Sequence, residues 1–190
     1  LIIVILGIMT WITSHKLDPY RQLNIPGKVM RIQAVSLRWK WLFIYPKENI
    51  ATINYITIPK DTQVEFWITS DAPMSAFFIP QLGSQIYSMA GMRTRLHLIS
   101  DKAGVYEGLN TQFNGDGFSD MHFKVNVTDE ASFNRWVNKV KTEKQTLDLA
   151  EYKKIVQPSI ASPVTYFSGV YPNLFNRIMQ QYTQPGVNLH

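Results

Sequence analysis

Residues 71–122 read DAPMSAFFIPQLGSQIYSMAGMRTRLHLISDKAGVYEGLNTQFNGDGFSDMH. The apolar run from Met74 to Ile79 leads into a Pro-Gln-Leu-Gly turn, and Arg93 to Ile99 alternates as a second strand does. The Ala-Gly-Val-Tyr-Glu-Gly segment at 103–108 feeds a loop rich in Asn and Gly. Outside this stretch the period of two continues. Trp39 to Tyr45 reads as a strand ended by Pro46, with Trp39 and Trp41 on one face and Lys40 on the other. Ile50 to Ile58 reads as a further strand, closed by Pro59. In Gln63 to Thr69, Val64, Phe66 and Ile68 point inward while Glu65 and Trp67 point outward. Met121 to Val127 alternates again, which puts His122 and Lys124 opposite Met121 and makes Met121 a core residue. His97 faces away from Leu96 and Leu98.

From Thr128 the period changes to that of a helix. Thr128 or Asp129 can cap it, and Phe133, Trp136, Val137 and Val140 fall on one face. A short helix is expected over Leu147 to Val156, then a linker at 158–163 (PSIASP). Pro172 stands at the first turn of a last helix carrying Leu174, Phe175, Ile178, Met179 and Tyr182. That apolar face is expected to pack on the β domain, a neighbouring subunit being the alternative. At the other end, Leu1 to Ile12 is apolar apart from Gly7 and Thr10. Twelve residues make about 18 Å of helix, short of a bilayer, so the run is read as the end of a transmembrane helix with Trp11 at the interface. The expected organisation is therefore 1–14 helix end, 15–28 linker, 29–128 β domain and 129–184 a helical, aromatic-rich extension.

Hydrophobic residues at 45% supply an ample core, and charged residues at 17% suit a chain partly covered by other subunits or lipid. The formal charge is +5, but Lys and Arg are scattered without a run, so nucleic acid is not an expected partner. With no Cys, and four His (15, 97, 122 and 190) without ligand-like spacing, no metal site is expected. No nucleophile elbow, phosphate-binding Gly loop or Ser/His/Asp arrangement is present. Glu107, Asp116 and Asp120 read as solvated loop carboxylates, so no catalytic residue is expected.

The order of these features resembles the cupredoxin domain of subunit II of the haem-copper respiratory oxidases. In the cytochrome c oxidases of that family the loop has the form Cys-x-Glu-x-Cys-x3-His-x2-Met, with an earlier His just upstream of the Pro-x-Leu-Gly turn. Together those residues hold a binuclear copper centre that takes electrons from cytochrome c. Laid on this chain, the earlier His falls on Ser75, the two Cys on Asn110 and Asn114, the Glu on Gln112 and the second His on Phe118. Only the Met is retained, as Met121. Copper thiolate chemistry needs soft sulfur anions and neutral imidazoles, so the resemblance implies that the copper site is absent. Within the family, that loss marks the quinol oxidases. The phrases LRWKWLFIYP, SAFFIPQLGSQIYSMAGM and GFSDMHFKV are similar to subunit II of the cytochrome o (bo-type) ubiquinol oxidases, and the likeness runs from about Ile2 to Tyr182.

The resemblance implies a mainly β, cupredoxin-like β-sandwich with an N-terminal transmembrane helix end and short C-terminal helices. It implies a non-catalytic subunit of a proton-pumping complex that passes electrons from ubiquinol to O2, serving assembly and structure as an outer lid. No cofactor is expected in this chain, the haems and remaining copper belonging to subunit I. The expected partners are subunit I and other subunits, membrane lipid, and ubiquinol through the complex, but not cytochrome c. The expected location is the bacterial inner membrane, with the domain on the periplasmic side. In copper-bearing relatives a Trp-x-Trp pair lies beside the metal; Trp39 and Trp41 have no metal to serve and are expected to fill the core or a subunit interface. Cytochrome c is itself basic, so a net-positive domain is a poor landing site for it. Two rival readings stand beside this one. The electron-accepting subunit of a cytochrome c oxidase is opposed by the missing thiolates, and a membrane-tethered β-sandwich binding module outside respiration is the other.

Overall fold

Residues 1–16, 18, 29–184 and 189 are described by the computed structural model. Helix α1 covers Ile2–Lys16, two residues past the expected boundary at 14, and buries no side chain. Among the described residues no helix is long and apolar enough to cross a membrane. The remainder of the expected linker, Asp18 excepted, lies outside the described residues, as does His190.

The β domain is a sandwich of two sheets. Its strands are β1 (Val29–Leu37), β2 (Lys40–Tyr45), β3 (Ile50–Ile53), β4 (Tyr55–Pro59), β5 (Gln63–Ser70), β6 (Ser75–Phe78), β7 (Ile86–Ser88), β8 (Thr94–Leu98), β9 (Gly104–Asn110) and β10 (His122–Thr128), with β11 (Thr165–Phe167) from the C-terminal extension. One sheet has the order β11-β3-β2-β1-β5-β8 and the other β4-β10-β9-β6-β7. The β1–β5 and β10–β4 pairs are parallel; the other pairs are antiparallel.

Two strand expectations are corrected. Ile50 to Ile58 is not one strand but β3 and β4, which belong to opposite sheets. The switch is Asn54, whose φ of 54° is a left-handed conformation that Asn tolerates better than most residues. Its Oδ1 accepts a hydrogen bond from Trp41 N at 2.8 Å, which fixes the break against β2. Trp39 and Trp41 do not share a strand face either. Leu37 pairs with Lys40, so Arg38 and Trp39 form the two-residue turn between β1 and β2, with Trp39 at φ 66°.

Between the sheets, alternate side chains of β2, β5 and β10 meet: Trp41, Phe43 and Tyr45; Val64, Phe66 and Ile68; Phe123, Val125 and Val127. The Trp41, Phe43, Phe77 and Phe123 rings form a cluster at its centre, with Phe77 stacked on Phe123 at 5.1 Å. Helix α2 (Glu130–Lys141) packs against this core. Asp129, one of the two expected caps, accepts from Ser132 N at 2.7 Å. Phe133, Val137 and Val140 are buried, whereas Trp136 is half-buried, edge-on to Tyr45 at 5.4 Å.

Every residue of β2 is buried, because the first sheet is covered on both faces. Its outer side carries Val35, Leu37, Leu42, Ile44, Ala51 and Ile53, and the C-terminal extension closes over them. Helix α3 (Leu149–Ile155) is shorter at both ends than expected, since Asp148 caps it and Leu147 is held in a bridge to Val170. Helix α4 (Leu174–Thr183) starts after Asn173 and not at Pro172, Asn173 taking φ 57°. Tyr152, Phe167, Leu174, Phe175 and Ile178 complete this second apolar cluster, so the extension's apolar face packs on its own domain. Strand β11 adds to the edge of β3, a strand within a region expected to be helical.

Gly108 on β9 stands opposite Phe123, and a Cβ there would lie 2.1 Å from the Phe123 ring. Gly108→Ala should therefore cost about 3 kcal/mol by displacing a central aromatic ring. Urea unfolding measures this, and an unchanged midpoint would show that Phe123 does not pack on Gly108.

Candidate functional site

The residues at the expected metal-ligand positions lie where β1, β6 and the 110–121 loop meet. Ser75, buried on β6, accepts a hydrogen bond from Ser36 Oγ at 2.8 Å. Asn114 Nδ2 donates to Ser75 Oγ at 2.9 Å and to Met121 Sδ at 3.3 Å. Ser75, Asn114 and Met121 are thus brought into direct contact, with Met121 also part of the central core. Asn110, at the end of β9, sits beside them. Its Oδ1 accepts from Ala76 N at 2.8 Å and Gln112 N at 3.0 Å, while its Nδ2 donates to Gln112 O at 2.8 Å. Gln112 enters through its backbone alone in these bonds. Phe118 is apart from them; its ring rests on exposed Phe113 at 5.7 Å.

Trp39 roofs this loop. Its Nε1 donates to Asn114 O at 3.4 Å, and a Cβ on Gly117 would lie 2.5 Å from its ring. Gly115, at φ 117°, allows a turn that an L side chain resists. The tryptophan that the alternation assigned to a strand face therefore packs on the loop's backbone instead.

As donors, these groups are a hydroxyl, neutral amides and one thioether. A copper pair needs anionic sulfur or imidazole nitrogen, and neither is among them. No grouping of three or more His, Cys, Asp or Glu that could hold a metal occurs among the described residues. Asn114 Oδ1 is buried with no hydrogen-bond donor among the described residues. One unpartnered amide oxygen does not balance the charge of a buried cation. His97 lies across from Glu65 on the outer face of the first sheet, at 3.9 Å, and His122 lies 3.4 Å from Glu107 on the second.

A polar centre that pattern reading missed lies nearby. Asp71, only 5% exposed, follows β5 and donates its backbone N–H to Ser36 O at 2.8 Å. Its carboxylate accepts from the Tyr152 hydroxyl on α3 and from Gln181 and Tyr182 on α4, the last at 2.6 Å. Burial, together with the Asp71 charge, pushes both tyrosine hydroxyls well above their ordinary pKa. Lys40 performs a similar task at the other side of the extension. Its Nζ donates to Gln157 O at 3.0 Å and to Ser159 Oγ, and burial lowers its pKa. Asn54 Nδ2 donates to Ser162 O at 3.0 Å, so the expected linker at 158–163 is held at two points. In sequence, Asp71 before Ala-Pro reads only as a turn residue; the partners that bury it come more than 80 residues later.

Residues 46–128 match the model of the cytochrome c oxidase subunit II periplasmic domain, and residues 141–186 match the cytochrome oxidase aromatic-rich motif. Over 97% of its length the chain is 55% identical to a protein of Pseudomonas aeruginosa named cytochrome bo(3) ubiquinol oxidase subunit 2, covering 56% of that protein. The chain belongs to the oxidase subunit II family. It is also 47% identical over 96% of its length to the ubiquinol oxidase subunit 2 of Acetobacter aceti, covering 60% of it. The chain thus spans little more than half the length of these relatives. Among solved structures, the periplasmic domain of subunit II of cytochrome oxidase from Bradyrhizobium japonicum superposes with a TM-score of 0.57 at 18% identity. That superposition covers 63% of this chain and 95% of the other, which establishes the cupredoxin-like sandwich. The aromatic-rich match contains Tyr152, Gln181 and Tyr182, the three donors to Asp71.

Asp71→Ala should cost about 3 kcal/mol, since it removes a charged acceptor and strands buried hydroxyls. It should also make the chain beyond residue 145 sensitive to limited proteolysis. Wild-type resistance and stability in the variant would show that Asp71 is not the tie.

Proposed function

We infer that this chain is part of subunit II of a respiratory quinol oxidase and serves assembly and structure, with no copper electron-entry site of its own. The complex would oxidise ubiquinol, reduce O2 to water and move protons across the membrane, with its haems and remaining copper in subunit I. The observation that carries the reading is the Ser75–Asn114–Met121 contact, in which ligand positions of copper-bearing relatives are joined to one another by hydrogen bonds. The names of the relatives support the quinol as donor. In this reading α1 belongs to a membrane anchor, the sandwich faces the periplasm, and the site residues Ser75, Asn110, Gln112, Asn114 and Phe118 hold the loop's shape. A soluble donor such as cytochrome c needs an acceptor near the outer surface, and neutral amides cannot cycle an electron there. A quinol in the bilayer delivers electrons directly to the subunit with the haems.

The test is oxygen uptake by the purified complex, with each donor in turn at low salt to favour weak docking. Turnover with a ubiquinol analogue and none with reduced cytochrome c is expected. Robust turnover with cytochrome c alone would overturn the reading.

A further inference from the structure

The C-terminal extension covers the first sheet's outer face over β1 to β3 and reaches Trp67 on β5, which is half-buried against it. Beyond Trp67 the face over β5 and β8 carries charge. Arg31 lies over one side of the Trp67 ring at 4.0 Å and Arg93 stacks on the same indole at 4.2 Å. Arg95 stands directly across from Trp67 on β8, the edge strand, and shares its face. Arg31 is neutralised by Glu65, 3.0 Å away. Arg93 and Arg95 are both exposed, and among the described residues neither forms a salt bridge.

We propose that this arginine–tryptophan face is a docking surface for a carboxylate-rich segment of another subunit of the oxidase, with Arg93 and Arg95 as its anchors. The proposal rests on the reading of the chain as part of a multisubunit complex. Stacking on the indole restricts the Arg93 side chain, so less entropy is lost when its fork binds a planar carboxylate through two hydrogen bonds. Arginine and tryptophan are also the side chains most concentrated where protein partners anchor. The face continues directly from the surface on which this chain seats its own extension, so a partner there would finish covering the sheet. The complementary charge is negative, because Glu65 is already occupied by Arg31.

Two variants of the whole complex test it. In R93K/R95K the charges remain and the introduced amines can be coupled by a water-soluble carbodiimide, which takes up the water lost as each amide forms. Mass spectrometry should then find amides to Asp or Glu of a different subunit. In R93E/R95E, release of this chain from the haem-containing subunits should be roughly tenfold faster than in wild type at low salt, with the difference shrinking as salt is added. Should R93E/R95E fail to accumulate, the cross-link alone decides. Amides only to lipid carboxylates would overturn the proposal in favour of a membrane surface. No intersubunit amide, with wild-type retention of R93E/R95E, would overturn it outright while leaving the proposed function intact. Failure of the wild-type chain to co-purify with haem would overturn both.

Discussion

Burial of β2 on both faces is the constraint on which the rest of the molecule depends. Trp41, Phe43 and Tyr45 enter the space between the sheets, while Leu42 and Ile44 emerge on the other side with Val35, Leu37 and Ile53. An apolar surface of that extent is not left in water by a stable soluble domain. The C-terminal extension is therefore part of the fold, and its position needs polar ties because apolar packing alone is not directional. Asp71 supplies the main one, collecting donors from α3 and α4, and Lys40 and Asn54 hold the segment between.

The same economy explains how the 110–121 loop keeps its form. Side-chain polar groups of Ser36, Ser75, Asn110 and Asn114 pair with one another or with the neighbouring backbone, Asn114 Oδ1 excepted. Met121 accepts from Asn114 and belongs to the core. Trp39 presses on Gly117 from outside, where any side chain would collide with it. Neutral hydrogen bonds thus tie β1, β6 and the loop together. Ser36 links this cluster to Asp71, through its hydroxyl on one side and its carbonyl on the other.

Much of this was legible in the chain. The alternation of Val64, Phe66 and Ile68, and of Phe123, Val125 and Val127, assigned the inner faces correctly because side-chain direction follows strand period alone. The amphipathic spacing of Phe133, Val137 and Val140 did the same for α2. What failed had no local signal. Asn54 is the one turn-prone residue between Ile50 and Ile58, and a lone Asn does not by itself end a strand; its left-handed turn is fixed by the Trp41 N–H across the hairpin. Trp39 looked like a strand residue because its turn has no glycine or proline. The family pattern located Ser75, Asn114 and Met121, but only the fold shows that they touch while Phe118 turns away. Asp71 and the Arg31–Trp67–Arg93 stack join residues from distant strands and helices, and such pairings are invisible to any periodicity.

We propose that the 110–121 loop is a hydrogen-bonded structural element and not an electron-carrying one. Copper analysis of the chain itself tests that most directly, after its release from the purified complex in mild detergent, incubation with copper and desalting. No tightly held copper is expected in the released chain. One or two equivalents of copper retained per chain, lost on replacing Asn114 and Met121 by alanine, would contradict it.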